Sequence, residues 1–138
     1  AIRRQRQMCM RDRDYNKCLE ISPKHAKALV NSGTLWKEVK DYDQAISNYR
    51  QAIKIHPTFN AYNSLGNAYG GKKDTKNAIW AYSKAIEIGP VSEKLLANAF
   101  YFRGAAKYEL GIYWCDDAKK ACELNLKDAC EVYRNQCN

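Results

Sequence analysis

The chain has 138 residues, 46% of them apolar and 28% charged, enough for one domain with a real core but not for two independent enzyme lobes. No uninterrupted apolar run exceeds the five residues Ala78 to Tyr82. A spanning helix needs roughly 20, so a helical membrane protein is excluded, and the composition is far from that of disordered chains. The formal charge is +8 and uneven: residues 1–57 carry 12 basic and 6 acidic side chains, while residues 91–138 carry 7 of each. That balance favours acidic partners and says nothing of fold.

In chain order, helices are predicted over 4–21, 25–39, 42–55, 59–70, 75–88, 92–110, 113–124 and 127–137. The first carries Arg3, Arg4, Arg6, Arg11 and Arg13 with no aromatic residues between them, so it reads as a solvated basic face rather than a stacking platform for nucleic acid. Its apolar side, Met8, Tyr15, Cys18, Leu19 and Ile21, has no helix before it. That end is expected to contact another chain or an upstream segment. The start Ala-Ile-Arg-Arg, without Met or an apolar leader region, reads as a fragment or a processed chain. Pro23 is expected to stop the first helix, and Asp41 to cap the helix over 42–55 with Gln44 in the capping-box position. Gly70-Gly71 is expected to end the helix over 59–70, and Ser92 to cap the one that follows Pro90.

The three prolines, Pro23, Pro57 and Pro90, are spaced by 34 and 33. Aligned on them, Gly33 matches Gly66, Trp36 matches Tyr69, Ala45 matches Ala78, Tyr49 matches Tyr82, Ala52 matches Ala85 and Ile53 matches Ile86. Such self-similarity marks an array of helical repeats. Leu29, Gly33 and Trp36 share one helix face, and Ala45, Tyr49, Ala52 and Ile53 share another. Small Gly33 and Ala45 let two helices approach closely, while Tyr49 and Trp36 are expected to fill the space between neighbouring repeats.

Leu29-x-x-Ser32-Gly33-x-x-Trp36, Ala45-x-x-x-Tyr49 and Pro57 resemble the tetratricopeptide repeat, as do Tyr62-x-x-Leu65-Gly66-x-x-Tyr69, Ala78-x-x-x-Tyr82 and Pro90. The resemblance implies an all-α fold, a right-handed superhelical stack of antiparallel helix pairs (A then B), with a concave groove lined by A helices. One domain, 1–138, then divides into a leading half-repeat helix (1–24), repeats at 26–57 and 59–90, a divergent repeat at 92–126 and a capping helix at 127–138. Phe100-x-x-Arg103-Gly104 opens the divergent repeat, whose B helix is about two residues short of register.

The chemistry of catalysis is missing. His25 and His56 fall in predicted turns, no phosphate loop or zinc spacing occurs, and Asp116 and Asp117 point apart on a helix. The chain is read as a non-enzyme without cofactor or metal. The repeat register places Lys27, Asn31, Thr34, Asn60, Asn63, Asn67, Asn98, Tyr101 and Tyr108 on the groove. Amide side chains donate and accept at once, which suits an extended peptide backbone. Tyr101, Phe102 and Tyr108 form either an aromatic wall or packing against the last helices. Some members of the family grip chaperone C-termini with a carboxylate clamp. Its positions are here Val30, Thr34, Ser64, Asn98 and Phe102, none with the expected side chain, so a co-chaperone is disfavoured. A scaffold binding a peptide or partner subunit of acidic character in the groove is the leading reading. An RNA-binding repeat acting through the basic half and a purely structural subunit stand behind it.

Cys115, Cys122, Cys130 and Cys137 are spaced 7, 8 and 7 across a turn near Leu126. In an antiparallel hairpin facing residues have position numbers of constant sum, which sets Cys115 against Cys137 and Cys122 against Cys130. Pairing within one helix would have to span about 10 Å, more than the roughly 7 Å a disulfide allows. The segment Lys120 to Asn125 with Cys130 also resembles cysteine-rich Sel1-like relatives, which bridge cysteines at that spacing. Two disulfides, and a periplasmic or cell-surface location, are therefore expected. The alternative is four small buried thiols in a cytoplasmic protein.

Overall fold

The computed structural model describes residues 15–90 and 92–138, with side chains from Ser22 onward. Among these residues there are seven helices and no strand: α1 Tyr15–Glu38, α2 Tyr42–Ile55, α3 Phe59–Gly71, α4 Thr75–Ile88, α5 Glu93–Glu109, α6 Cys115–Glu123 and α7 Lys127–Gln136. Each packs on the next, and α1 also touches α3. The result is an α-solenoid in which α1, α3 and α5 alternate with α2, α4 and α6. The arginine run, Cys9 and the expected N-terminal contact lie outside the described residues, as does the side chain of Cys18.

Pro23 does not end a helix. It lies inside α1, which runs unbroken from Tyr15 to Glu38, so His25 sits in a helix rather than in a turn. The other two prolines show why. His56 and Gly89 leave the helical region before Pro57 and Pro90, and Thr58 and Ser92 cap the next helices, their hydroxyls accepting from Ala61 N and Leu95 N. Lys24-His25-Ala26 offers no such cap. Starting a new helix there would orphan several N–H groups, whereas continuing loses the one bond that proline cannot donate. Asp41 caps α2 as expected, accepting from Gln44 N at 3.2 Å. The second half of the capping box is absent, because Asp41 N donates to Trp36 O instead.

One joint recurs four times. After α1, α3, α5 and α6 a residue with positive φ (Lys40, Lys73, Gly111 and Asn125) reverses the chain. Each is flanked by the same two bonds, such as Lys40 N to Lys37 O with Asp41 N to Trp36 O, and Asn125 N to Cys122 O with Leu126 N to Ala121 O. These pair the last carbonyls of the helix with the turn's amides. Gly70 and Gly71 are both helical, and Lys73 takes the left-handed position expected of them. Gly71 is small for another reason: the Tyr42 ring of α2 lies against it.

The core is periodic. Ala45, Ile46 and Tyr49 of α2, Leu65, Ala68 and Tyr69 of α3, and Ala78, Ala81 and Tyr82 of α4 form one cluster. Phe59, Ala85 and Ala99 continue it toward α5. A Cβ on Gly33 would stand 2.8 Å from the Tyr49 ring, and one on Gly66 would stand 2.6 Å from the Tyr82 ring. The glycines therefore exist to admit the tyrosines. Trp36 does not fill an inter-repeat space. It is 41% exposed, whereas its counterpart Tyr69 is buried beneath α2. Among the described residues no helix stands before α1 to cover it.

In the third pair the tyrosine is replaced by charge. Gly104 faces the Cβ of Asp117 at 3.2 Å. Asp117 is 2% exposed and accepts from Arg103 Nε and Nη2 at 3.0 and 2.6 Å. Lys107 Nζ stands 2.7 Å from Oδ2, the oxygen that also accepts from Arg103 Nε. Arg103 also donates to Ser83 Oγ, tying α4, α5 and α6 together. Asp116 points to solvent.

At the C-terminal end, Cys115 is bonded to Cys137 and Cys122 to Cys130, with Cα atoms 5.7 and 4.5 Å apart. These are the two pairs that the hairpin geometry sets face to face. They clip the ten-residue α7, which buries little beyond Ala129, onto α6.

Candidate functional site

The face of α3 opposite its buried residues carries Asn60, Asn63 and Asn67, spaced to share one side of the helix. Behind it, α4 sends a tyrosine through the stack: Tyr82 donates its hydroxyl to Asn67 Oδ1 at 2.8 Å. One repeat earlier Tyr49 does the same, its hydroxyl 3.2 Å from Thr34 Oγ1 and close enough to Ser64 to feel its hydroxyl. Thr34 is further anchored by donating to Val30 O. Burial pushes both phenols above the usual tyrosine range. Tyr82 is raised well past it, so it stays a neutral donor throughout the physiological range. The floor of the groove is thus a row of B-helix hydroxyls held by A-helix polar side chains.

The sequence-chosen residues fall into three groups rather than one continuous surface. Lys27 and Asn31 of α1 meet Asn60 of α3 around a cavity of about 400 Å³ that His56 and Thr58 also line. Thr34, Asn63 and Asn67 occupy the middle. Asn63 stands out, since its Oδ1 is buried and is without a hydrogen-bond partner among the described residues. Asn98 is half-buried on α5.

The third group is aromatic and divides in two. Phe102 stacks on Tyr82 with ring centroids 6.2 Å apart and stays 44% exposed, so it borders the groove. Tyr101 and Tyr108 instead line a pocket of about 190 Å³ with Trp114, Val132 and Gln136. Tyr101 thus faces the seam with the last helices, while Tyr108 meets Trp114 edge-on at 5.5 Å and remains 62% exposed. Sequence reading missed the Arg103–Asp117–Lys107 cluster, because Asp117 follows Gly104 by 13 residues rather than by the 16 that separate Gly33 from Tyr49 and Gly66 from Tyr82.

A stack of antiparallel helix pairs with glycine-for-tyrosine packing at a fixed period defines the class as a helical-repeat array. Residues 38–73 match the profile described as TPR repeat, and residues 59–91 match the tetratricopeptide repeat profile. The stretch from 38 to 91 thus consists of tetratricopeptide repeats.

A relative in Mycosarcoma maydis, small glutamine-rich tetratricopeptide repeat-containing protein 2, is 33% identical over 82 residues. The match covers 59% of this chain and 23% of that protein. The chain spans less than a quarter of the length of the curated relatives it matches. Among solved structures, the N-terminal domain of stress-induced protein-1 from C. elegans superposes with a TM-score of 0.79 at 19% identity, covering 85% of this chain and 98% of that one. The first tetratricopeptide domain of Spaghetti, bound to an HSP90 peptide, superposes with a TM-score of 0.70 at 22% identity, covering 80% and 91%. At these identities the likeness establishes the fold. No helix among the described residues is long and apolar enough to cross a membrane.

Proposed function

We propose that this chain is a non-catalytic scaffold that holds an extended peptide, or a segment of a partner subunit, along the face formed by α1, α3 and α5. The observation that carries this is Asn63. A buried carbonyl oxygen without a donor costs on the order of 1–3 kcal/mol, and native proteins rarely retain one without a use. A peptide backbone N–H laid along α3 would satisfy it. Asn67, whose oxygen is taken by Tyr82, would offer its amide N–H to a neighbouring carbonyl. The peptide seen on the Spaghetti domain supports this use of the fold.

A chaperone C-terminus is not the preferred ligand. At the clamp positions Thr34 is bonded to Tyr49 and Phe102 is stacked on Tyr82, and Val30 carries no charge. The +8 charge and Lys27 at the groove's first cavity favour an acidic partner. The two disulfides favour an oxidising compartment, periplasm or cell surface, and a Sel1-like reading of the C-terminal cap.

Selection of binders from a displayed random peptide library, followed by calorimetry, tests the groove. Asn63→Ala with Asn67→Ala should weaken the selected peptide about tenfold or more at unchanged helicity. Unchanged affinity would favour a structural subunit. Intact-mass analysis of protein alkylated without reduction, from its native source, tests the compartment. Modification of all four of Cys115, Cys122, Cys130 and Cys137 would sink it.

A further inference from the structure

The aromatic pocket at the C-terminal end of the groove is a second place to grip a ligand. Tyr101 and Tyr108 of α5, Trp114 at the head of α6, and Val132 and Gln136 of α7 line about 190 Å³. A ligand can reach these side chains. Tyr108 and Gln136 are exposed, as is Ala105, which also lines the pocket, and Tyr101, Trp114 and Val132 are half-buried. The edge-on contact of Tyr108 with Trp114 braces one wall. No charged side chain lines the pocket. A cavity of about 150 Å³ already takes a benzene ring, so this one has the size for a single large apolar side chain.

Rings in contact join the pocket to the groove. Phe102 stacks on Tyr82, whose hydroxyl holds Asn67 in the middle of the groove, and Tyr101 meets Phe102 edge-on at 5.7 Å. Successive residues of a helix point about 100° apart, so α5 turns Phe102 to the groove and Tyr101 to the pocket. A peptide lying on Asn63 and Asn67 that continues past Phe102 reaches the pocket next. The far wall is α7, which has ten residues and no side-chain cap and buries little beyond Ala129. A helix so short is marginal by itself. Cys115–Cys137 and Cys122–Cys130 hold it on α6, and Val132 and Gln136 with it.

We propose that this pocket takes one side chain of leucine to phenylalanine size from the peptide held along the groove, and that the two disulfides keep its α7 wall in place. This rests on the groove holding a peptide and adds a specificity: an apolar anchor in the stretch that lies on α5. With no cation in the lining to meet a phosphate, a protein side chain is favoured over a nucleotide. Oxidation of the cap and recognition of the anchor are then linked.

The test titrates the oxidised chain, labelled with ¹⁵N and methyl ¹³C, with N-acetyl-leucinamide, N-acetyl-phenylalaninamide, N-acetyl-aspartate amide and adenosine monophosphate, probes too small to need the groove. Saturable shifts at the Trp114 indole N–H and the Val132 methyls are expected with the two apolar amides alone. Ala105→Phe, at an exposed position, should fill the pocket and weaken both about tenfold or more at unchanged helicity. Reduction should weaken them severalfold. Asn63→Ala with Asn67→Ala should leave them unaffected, so the groove and the pocket can fail separately. In peptides selected from the displayed library, alanine in place of the apolar anchor should cost about tenfold, and little in the Ala105→Phe background. The proposal is overturned by no saturable shift at millimolar amide, by equal or tighter binding of the aspartate amide or the nucleotide, or by unchanged affinity in Ala105→Phe or after reduction. Selected peptides that lack a fixed apolar residue, yet are weakened by the double asparagine variant, would overturn the pocket and leave the groove standing.

Discussion

Two glycines in α3 should answer the same substitution with opposite signs. Gly66→Ala would put a methyl 2.6 Å from Cε1 of Tyr82, and Gly70→Ala would put one where nothing lies within 4 Å. Both sites are helical, so alanine gains up to about 1 kcal/mol in each from backbone entropy. At Gly70 that gain stands alone, and stability should rise by about 0.5–1 kcal/mol. At Gly66 the ring cannot retreat. It is 4% exposed, its hydroxyl is tied to Asn67 on the same helix, and Phe102 stacks on it. Overpacking of this kind costs about 1–3 kcal/mol, so a net loss of about 1–2 kcal/mol is expected. Urea denaturation followed by helical circular dichroism, with disulfides intact and m-values compared, measures both. In a Tyr82→Leu background the Gly66→Ala loss should largely vanish, because the obstructing ring is gone. If Gly66→Ala proves as stabilising as Gly70→Ala, the packing account of the repeated Gly–Tyr column is wrong.

Asp117→Ala should destabilise the chain by about 3–5 kcal/mol, since it strands two partly buried cations, whereas Asp116→Ala should fall within about 0.5 kcal/mol of zero; thermal melts of the two variants compare them directly. Lys40→Gly and Lys73→Gly should each add about 0.5–1 kcal/mol, because both lysines occupy left-handed backbone that a side chain disfavours, and urea midpoints read the gain. Tyr82 is held protonated by burial, its folded pKa lying above the unfolded value of about 10. Its contribution is present in full below about pH 10 and is lost as pH rises toward the folded value. Stability measured between pH 8 and 11 should therefore fall at the alkaline end, and Tyr82→Phe should flatten that fall.

The repeat was legible because its packing is written in single residue types at fixed intervals: Gly33 and Gly66 admit Tyr49 and Tyr82. The disulfide pairing was legible because two helices and one short turn leave little geometric choice. Pro23 misled, since the proline is visible but the lack of a capping residue after it is a quieter signal. Gly70-Gly71 misled in the opposite way, as glycine serves close approach as well as left-handed turns, and here the Tyr42 ring decides. Register could propose groove residues, but Asn67's bond to Tyr82 and Asn63's lack of a partner depend on side-chain directions that no linear pattern records. The Arg103–Asp117–Lys107 cluster was hidden by the register slip in the third pair, which moves an acid into a tyrosine's place.

The clipped hairpin of α6 and α7 also changes how this part of the stack can come apart. In a linear array each element leans only on its neighbours, and a short final helix would ordinarily fray on its own. Two covalent bonds between α6 and α7 remove that mode: α7 cannot leave without α6, and the hairpin parts from α5 only as one unit. A reductant would restore the independent fraying of α7.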